Sequence, residues 1–499
     1  MKNIADLPDA HLRIFERPDA PVPEALEDVY LIGICGTGMG SLAGLFQQAG
    51  FRVRGADANV YPPMSTRLAE LGIPVHHGFD PAHLDPPPDL VVVGNACTPT
   101  HPEAAYARDR GLAQLSLPEA LTRYFIRDRR SLVVAGTHGK TTTTSMLVHA
   151  LRSAGLDPGF LVGGVMRNGD MSYAVGSGPH FVVEGDEYDS AYFDKRPKFM
   201  RYRPTSAIVT SMEFDHADIY EGWDDYREAF RAFVGLVPAR GLLALCGDDP
   251  EVRALAAHTK ARVRRYGLHP DAAVTARDVR ASADGQRFTL VADGQALGEI
   301  FLPMSGRHNL LNALAVCAVA LDEGLSAETI AAAFTTFKGI RRRQEVRGEA
   351  DGVLVVDDFA HHPTAVRETL RAARERWPER RLTAVFEPRS NSSRRKIFED
   401  GYRQAFDEAD AVFLSAPPFR HNDRPEEFID IDRLVRSLGA RGLSAAVYPS
   451  ADALLPPLAA HLRPGDVALI MSNGGFGGIH EKLLSRLARR SKTTVSDRE

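Results

Sequence analysis

Short apolar runs, each followed by residues at helical spacing, recur along this chain and set its secondary structure. The run "VYLIGI" (29–34) enters "CGTGMGSLAGLFQQAG", a glycine turn, a helical pattern and a glycine stop at Gly50. "FRVRGADAN" gives a second short strand ending at Asp57, and "DLVVVGNA" (89–96) a third. A charged segment, "RYFIRDRR", precedes "SLVVAG" (131–136), and the alternation continues through "FVVEGD" (181–186), "SAIVTS" (206–211) and "GLLALCGDD" (241–249). It resumes at "GVLVVDDFA" (352–360), "RLTAVFEP" (381–388), "DAVFLSA" (410–416) and "DVALIMSNGG" (466–475). Strands alternating with helices predict an α/β protein whose sheets are mostly parallel, with helices as crossovers.

Two stretches break the rhythm. The polar interval 262–304, with "DVRASADGQRFTLVADGQALGEIFLP", predicts short antiparallel strands. After the helical "NLLNALAVCAVALDEG", the segment "FKGIRRRQEVRGE" is a basic hinge candidate. At about 100 to 200 residues per domain, a chain of 499 residues divides into roughly three. The expected division is an N-terminal arm (1–28), α/β domains at 29–128, 129–339 and 340–488, and a polar, frayed tail (489–499).

Composition narrows the class. Hydrophobic content of 44% and charged content of 25% are those of a soluble globular protein. The net charge of -5 speaks against a nucleic-acid partner, because such domains carry a basic surplus. Cys35, Cys97, Cys246 and Cys317 are widely spaced, so neither a disulfide framework nor a thiolate zinc site is indicated. The longest apolar run, 310–321, is too short for a bilayer, and the acidic, proline-containing start does not resemble a secretory signal. These features predict a cytoplasmic protein with no membrane partner, and no segment points to an obligate protein partner.

The stretch "VVAGTHGKTTTT" carries the first chemistry. An apolar strand, the small Gly136 and Gly139, and a helix behind them would aim several backbone N–H groups at one point. Thr137, His138 and Thr142 complete this loop; Lys140 supplies positive charge for β/γ-phosphate oxygens and Thr141 a hydroxyl for Mg²⁺. Val134 stands where the longer phosphate-loop pattern has its first glycine, which favours a shorter relative of the GTPase type. The plainer alternative is a glycine turn before an amphipathic helix. Glu184, with Asp186, Glu187 and Asp189 beside it, follows an apolar strand as a Mg²⁺ ligand would, although a solvated acidic turn fits the same residues. "VTSMEFDHAD" adds Glu213, Asp215, His216 and Asp218 after another strand; by spacing alone His216 is a weak ligand candidate, since Mg²⁺ prefers oxygen.

In "GICGTGMG", Gly33 and Gly38 occupy the outer places of a dinucleotide fingerprint, but Cys35 replaces the middle glycine. What remains is a helix start at Gly36, Thr37, Gly38 and Met39, with Asp57 further on, suited to a diphosphate and compatible with a UDP-type ligand. Two phosphate sites on separate α/β domains suggest ligation, in which ATP activates one substrate for condensation with another.

"GTHGKTTT", "EGDEYD", "EFDHAD", "SGRHNLLNALA" and "DDFAHHPTAV", in this order and over nearly the whole chain, resemble the muramyl ligases of peptidoglycan synthesis. The resemblance implies a Rossmann-like N-terminal domain for UDP, a central ATPase domain and a Rossmann-like C-terminal domain. It also implies ATP and Mg²⁺ as cofactors, with amide-bond formation through an acyl phosphate. Carried over, it gives Lys140 to the β/γ-phosphates, Thr141 and Glu184 to a first Mg²⁺, and His216 to a second. His308, Asn309 and Asn312 match adenine-side or nucleotide-positioning residues, Arg343 one that reaches the triphosphate, and Asp358 one near the ribose; His361 and His362 are alternatives for shaping the reacting centre. No lysine occurs in "SMEFDHADIYEGW", so the carbamylated lysine of related ligases has no counterpart there, and Ser211 replaces an asparagine expected in this branch.

Within the family, "DANVYPPMST", "YFDKRPKF", "EPRSN" and "MSNGGFGGIHEKLL" look most like the branch that joins the murein tripeptide L-alanyl-γ-D-glutamyl-meso-diaminopimelate to UDP-N-acetylmuramate in peptidoglycan recycling. The alternative is the branch that adds free L-alanine. Arg389, Ser390 and Asn391 lie where the family reads the incoming group; a guanidinium fork suits a carboxylate, whereas a surface arginine in a basic stretch with Arg394, Arg395 and Lys396 is the plainer alternative.

Overall fold

A computed structural model describes residues 20–61, 64–215, 219–417 and 425–496. The first sheet contains β1 (Asp28–Ile32), β2 (Arg52–Asp57), β3 (Val75–His77), β4 (Leu90–Val93) and β5 (Gln114–Ser116) in the order β3-β2-β1-β4-β5. All its pairs are parallel. Chain order reverses at β1 and β4, so the crevice outside their carboxyl ends is the place where open α/β sheets take ligands. The helix Thr37–Gln48 starts there.

The next strands are β6 (Arg130–Ala135), β7 (Gly159–Met166), β8 (Met171–Ala174), β9 (His180–Gly185), β10 (Asp189–Ala191), β11 (Asp194–Pro197), β12 (Ser206–Val209), β13 (Leu242–Cys246), β14 (Arg262–Tyr266), β15 (Val274–Ser282), β16 (Gly285–Ala292) and β17 (Gln295–Leu302). Apart from the hairpin of β10 and β11 they form one sheet, ordered β17-β16-β15-β14-β13-β12-β6-β9-β7-β8. At its centre β6 lies between β12 and β9, parallel to both. These strands are buried on both faces, which is why they read as unbroken apolar runs. The interval 262–304 follows the expected antiparallel strands only in part: β15, β16 and β17 are neighbours joined by two-residue turns, as antiparallel strands are, but they are 9, 8 and 8 residues long, and β14 pairs parallel with β13. Asp293 and Gly294, both at positive φ, turn the chain between β16 and β17.

The last sheet holds β18 (Glu345–Ala350), β19 (Val353–Asp358), β20 (Leu382–Phe386), β21 (Ala411–Ser415), β22 (Ser444–Tyr448) and β23 (Val467–Met471), ordered β18-β19-β23-β20-β21-β22. Only the edge strand β18 is antiparallel. The last five residues of the expected basic hinge, Glu345 to Glu349, therefore belong to this edge strand. Apolar clusters cover both faces of the sheet, one including Val356, Leu370, Phe386 and Tyr402, the other Val355, Ile470, Leu483 and Leu487.

Two compact units result. The first takes in residues to Arg277 with Thr289–Ile300 and Leu311–Lys338; the second takes in Asp278–Phe288, Phe301–Leu310 and the chain from Gly339. Among the described residues no helix is long and apolar enough to cross a membrane. The cysteines are free thiols; burial pushes Cys35 and Cys246 up to about 11, and Cys97 and Cys317 up to about 12.

The frayed tail expected from residue 489 is instead the end of a helix, Ile479–Ser496. Arg490 fixes it by donating to Asp351 Oδ2 at 2.6 Å and to the carbonyls of Ala459 and Leu462 at 2.6 and 2.9 Å. Leu487 on this helix is fully buried. Replacing it with alanine leaves a cavity and is expected to destabilise the protein by about 2–5 kcal/mol, read as a lowered denaturation midpoint.

Candidate active site

The loop between β6 and the helix Lys140–Ser153 leaves the centre of the ten-stranded sheet at its carboxyl edge. Gly136 and Gly139 both have positive φ, 131° and 83°, and close approach enforces this: a Cβ at Gly136 would lie 2.1 Å from Thr210 Oγ1, and one at Gly139 2.4 Å from Asn312 Oδ1. The end of β12 braces the loop. Thr137 N donates to the Ser211 carbonyl and His138 N to Ser211 Oγ, each at 3.0 Å. Ser211, which replaces the expected asparagine, thus has a contact of its own. Thr137 Oγ1 donates to the Glu213 carbonyl at 2.9 Å, and His138 Nε2 lies 3.0 Å from Glu213 Oε2.

Lys140 Nζ donates to the Gly136 carbonyl at 2.7 Å and lies 2.8 Å from Glu187 Oε2. Burial opposes its charge, but Glu187, with Asp186 behind it, holds the ammonium above its ordinary pKa. Glu187 is itself 1% exposed, and the Tyr220 hydroxyl donates to its carbonyl. Nothing in the run of acids after β9 distinguished Glu187 from Asp186 or Asp189, so sequence reasoning missed it as the partner of Lys140. Lys198 lies 3.4 Å from Asp186 Oδ2.

Glu184 is the last residue but one of β9 and stands opposite Val134 in the ladder. Its Oε2 accepts from Thr141 Oγ1 at 2.9 Å and its Oε1 from Gly163 N at 2.5 Å. Burial and the nearby Asp186 push this carboxyl up to about 7. A desolvated carboxylate beside a hydroxyl is a hard-oxygen donor set that fits Mg²⁺. Thr142 is buried in the first turn of the loop helix. His216 lies outside the described residues.

In the N-terminal sheet, Gly36 is the N-cap of its helix, Thr37 and Gly38 open the first turn, and Met39 is 6% exposed with its side chain in the core. Asp57 Oδ2 accepts from Cys35 N and Oδ1 from Asn59 N, both at 2.9 Å, so this carboxylate braces the turn. On the helix Arg307–Asp322, Asn309 donates through Nδ2 to the Ser305 carbonyl at 2.8 Å. His308 sits in the same first turn.

In the second unit, Arg342 and Arg343 lie over the Phe359 ring at 5.2 and 5.1 Å. Arg342 also donates to the carbonyls of Ser472 and Gly474, at 2.6 and 2.7 Å. Asp358 is buried and braces this turn, accepting from Gln344 N and Ala360 N at 2.8 Å; burial raises its pKa. His362 caps the helix Pro363–Arg376 by accepting from Thr364 N, while His361 Nδ1 is 3.1 Å from the Phe359 carbonyl.

The carboxyl ends of β20 and β23 bring "EPRSN" and "SNGG" together. Arg389, half-exposed, passes so close over Gly474 that a Cβ there would lie 2.4 Å from its Cδ, and Ser472 Oγ donates to Glu387 at 2.5 Å. Ser390 and Asn391 instead build the turn, through Ser393 N at 2.9 Å and Arg394 Nη2 at 3.0 Å. Arg394 is 2% exposed, so the stretch is not simply a basic surface.

Fold and site define an α/β protein of three mostly parallel sheets, the middle one carrying a glycine-rich strand–loop–helix turn. Profiles for the Mur ligase family catalytic domain, the Mur ligase middle domain and the Mur ligase glutamate ligase domain match residues 28–129, 134–320 and 342–474. The chain belongs to the Mur ligase family. It is 39% identical to the UDP-N-acetylmuramate–L-alanyl-γ-D-glutamyl-meso-2,6-diaminoheptandioate ligase of Escherichia coli, over 93% of this chain and 99% of that one. It is 38% identical to the UDP-N-acetylmuramate–L-alanine ligase of Symbiobacterium thermophilum, over 94% and 96%. The crystal structure of a murein peptide ligase from Psychrobacter arcticus is 37% identical, covering 93% of this chain and 99% of that one, with a TM-score of 0.71.

If the Glu184 carboxylate holds a metal, Glu184→Gln removes its charge while keeping its shape. The variant is expected to need about tenfold more Mg²⁺ for binding a non-hydrolysable ATP analogue, measured by calorimetry. An unchanged Mg²⁺ requirement would refute the assignment.

Proposed function

We propose that this chain condenses L-alanyl-γ-D-glutamyl-meso-diaminopimelate with UDP-N-acetylmuramate in peptidoglycan recycling, converting ATP to ADP and phosphate. The observation that carries this reading is the meeting of Lys140, Thr141 and Glu184 at one sheet edge, in a chain that aligns over 93% of its length with a ligase of that name. The cytoplasm, where ATP and nucleotide sugars are made, is the matching compartment.

The chemistry explains the parts. A carboxylate repels nucleophiles and has no usable leaving group, so the γ-phosphoryl group is first transferred to the lactyl carboxylate of the sugar. The free alanyl amine attacks the resulting acyl phosphate through a tetrahedral intermediate, and phosphate departs. Alignment of two anions requires neutralisation. The loop amides and Lys140 bind the β/γ-phosphates, and the helix start at Gly36–Met39 binds the UDP diphosphate. Mg²⁺, when bound at Thr141 and Glu184 and, for a second ion, His216, neutralises phosphoryl oxygens. Arg343 and Asp358 are assigned to the nucleotide by resemblance alone.

Selection of the tripeptide rests on the third sheet. Arg389 offers a half-exposed guanidinium across the Gly474 backbone, suited to one of the peptide's carboxylates. The second reading, ligation of free L-alanine, is favoured by the 38% identity to an alanine ligase. An assay with ATP, Mg²⁺ and UDP-N-acetylmuramate decides between them: phosphate release and product mass should appear with the tripeptide, and Lys140→Ala should abolish both. Equal or faster turnover of alanine would overturn the assignment. Arg389→Ala is expected to lower kcat/KM for the tripeptide roughly 30-fold, the loss of about 2 kcal/mol of charge-assisted pairing, with the KM for ATP unchanged.

A further inference from the structure

The proposed reaction requires the sugar's carboxylate and the γ-phosphate to approach within about 3–3.5 Å, although their candidate anchors lie on two different sheets. A run of contacts along one helix face joins those anchors. The helix Thr37–Gln48, whose start is the diphosphate candidate, lies along β8 by one face: Ser41 Oγ is 3.1 Å from Ser172 Oγ, Gly44 lies on the Tyr173 ring, and Gln48 Oε1 accepts from Val175 N at 2.9 Å. Positions 41, 44 and 48 share a helix face. A Cβ at Gly44 would fall 2.1 Å from the Tyr173 ring, so helix backbone and ring meet with no side chain between them.

From Tyr173 the sheet carries this contact to the other anchor. Tyr173 pairs with Leu161, Leu161 with Val183 and Val183 with Val133, side by side across β8, β7, β9 and β6. One residue beyond Val183 is Glu184, and two beyond Leu161 is Gly163, whose amide holds Glu184 Oε1. A side chain at Gly163 would crowd that carboxylate, with a Cβ 3.2 Å from Oε2.

We propose that the β7–β8 hairpin is a spacer that sets the distance between the nucleotide-sugar site and the ATP loop, with Gly44 and Tyr173 as positioning residues for phosphoryl transfer. This rests on the ligase reading above, which turnover by the unaltered enzyme tests separately. Neither residue touches a substrate in this scheme. Their loss therefore leaves each substrate bound and misplaces one against the other.

The test is a split between binding and turnover in Tyr173→Ala, Tyr173→Phe and the double variant Ser41→Ala/Gln48→Ala. Tyr173→Ala is expected to lower kcat at least about tenfold, as a misplacement of about 1 Å does, while the dissociation constants for UDP-N-acetylmuramate and for a Mg²⁺-loaded ATP analogue stay within about threefold. Tyr173→Phe, which keeps the ring on Gly44, should recover at least half of the turnover. The double variant removes two hydrogen bonds without opening a cavity, and should lower kcat about threefold with the same unchanged binding. It decides the matter should Tyr173→Ala fail to fold. The proposal is overturned if kcat stays within twofold of the unaltered enzyme in the folded variants, or if the loss appears in either dissociation constant instead.

Discussion

Buried charge must be matched by opposite charge or by hydrogen bonds, because taking an ion out of water costs several kcal/mol. The centre of this protein is organised around that requirement. Lys140, Glu184 and Glu187 are withdrawn from solvent at the carboxyl edge of one sheet, and none could be left there alone. The register that places Glu184 opposite Val134 is what lets its carboxylate meet Thr141 on one side and the Gly163 amide on the other. Shifting β9 by one residue would send the carboxylate to the opposite face of the sheet.

Two kinds of bracing then act on the loop. Close approach fixes its backbone, since Thr210 and Asn312 occupy the space that side chains at Gly136 and Gly139 would need. Hydrogen bonds from the end of β12 fix its direction, through Ser211 and Glu213. The second unit repeats this economy on a smaller scale: Asp358 holds the turn carrying Arg342 and Arg343, and Arg342 holds the carbonyls of the turn beneath Arg389.

The α/β class and the strands that lead to chemistry were legible because β6, β9, β12, β19 and β23 are buried on both faces and leave unbroken apolar runs. Strands β3, β8 and β22 left no such trace, being short or half-exposed. The glycine loop after β6 was readable because its glycines answer a local steric demand. Asp57, Asp358, Ser390 and Asn391 were singled out as ligand contacts, and what the sequence did not announce is that their side chains are also engaged with nearby backbone or with Arg394. Gly44 shows the limit from the other side. Its partner Tyr173 is far away in sequence, so nothing local announced that this glycine faces a ring.

The four thiols have a practical corollary. Alkylating reagents and mild oxidants act on the thiolate, and burial keeps Cys35, Cys97, Cys246 and Cys317 protonated near neutral pH. Cys97, Cys246 and Cys317 are also closed off from solvent, whereas Cys35 is only partly covered. A cysteine introduced at an exposed surface position would therefore compete chiefly with Cys35 for a thiol-directed fluorophore, and Cys35 is the native thiol to replace first.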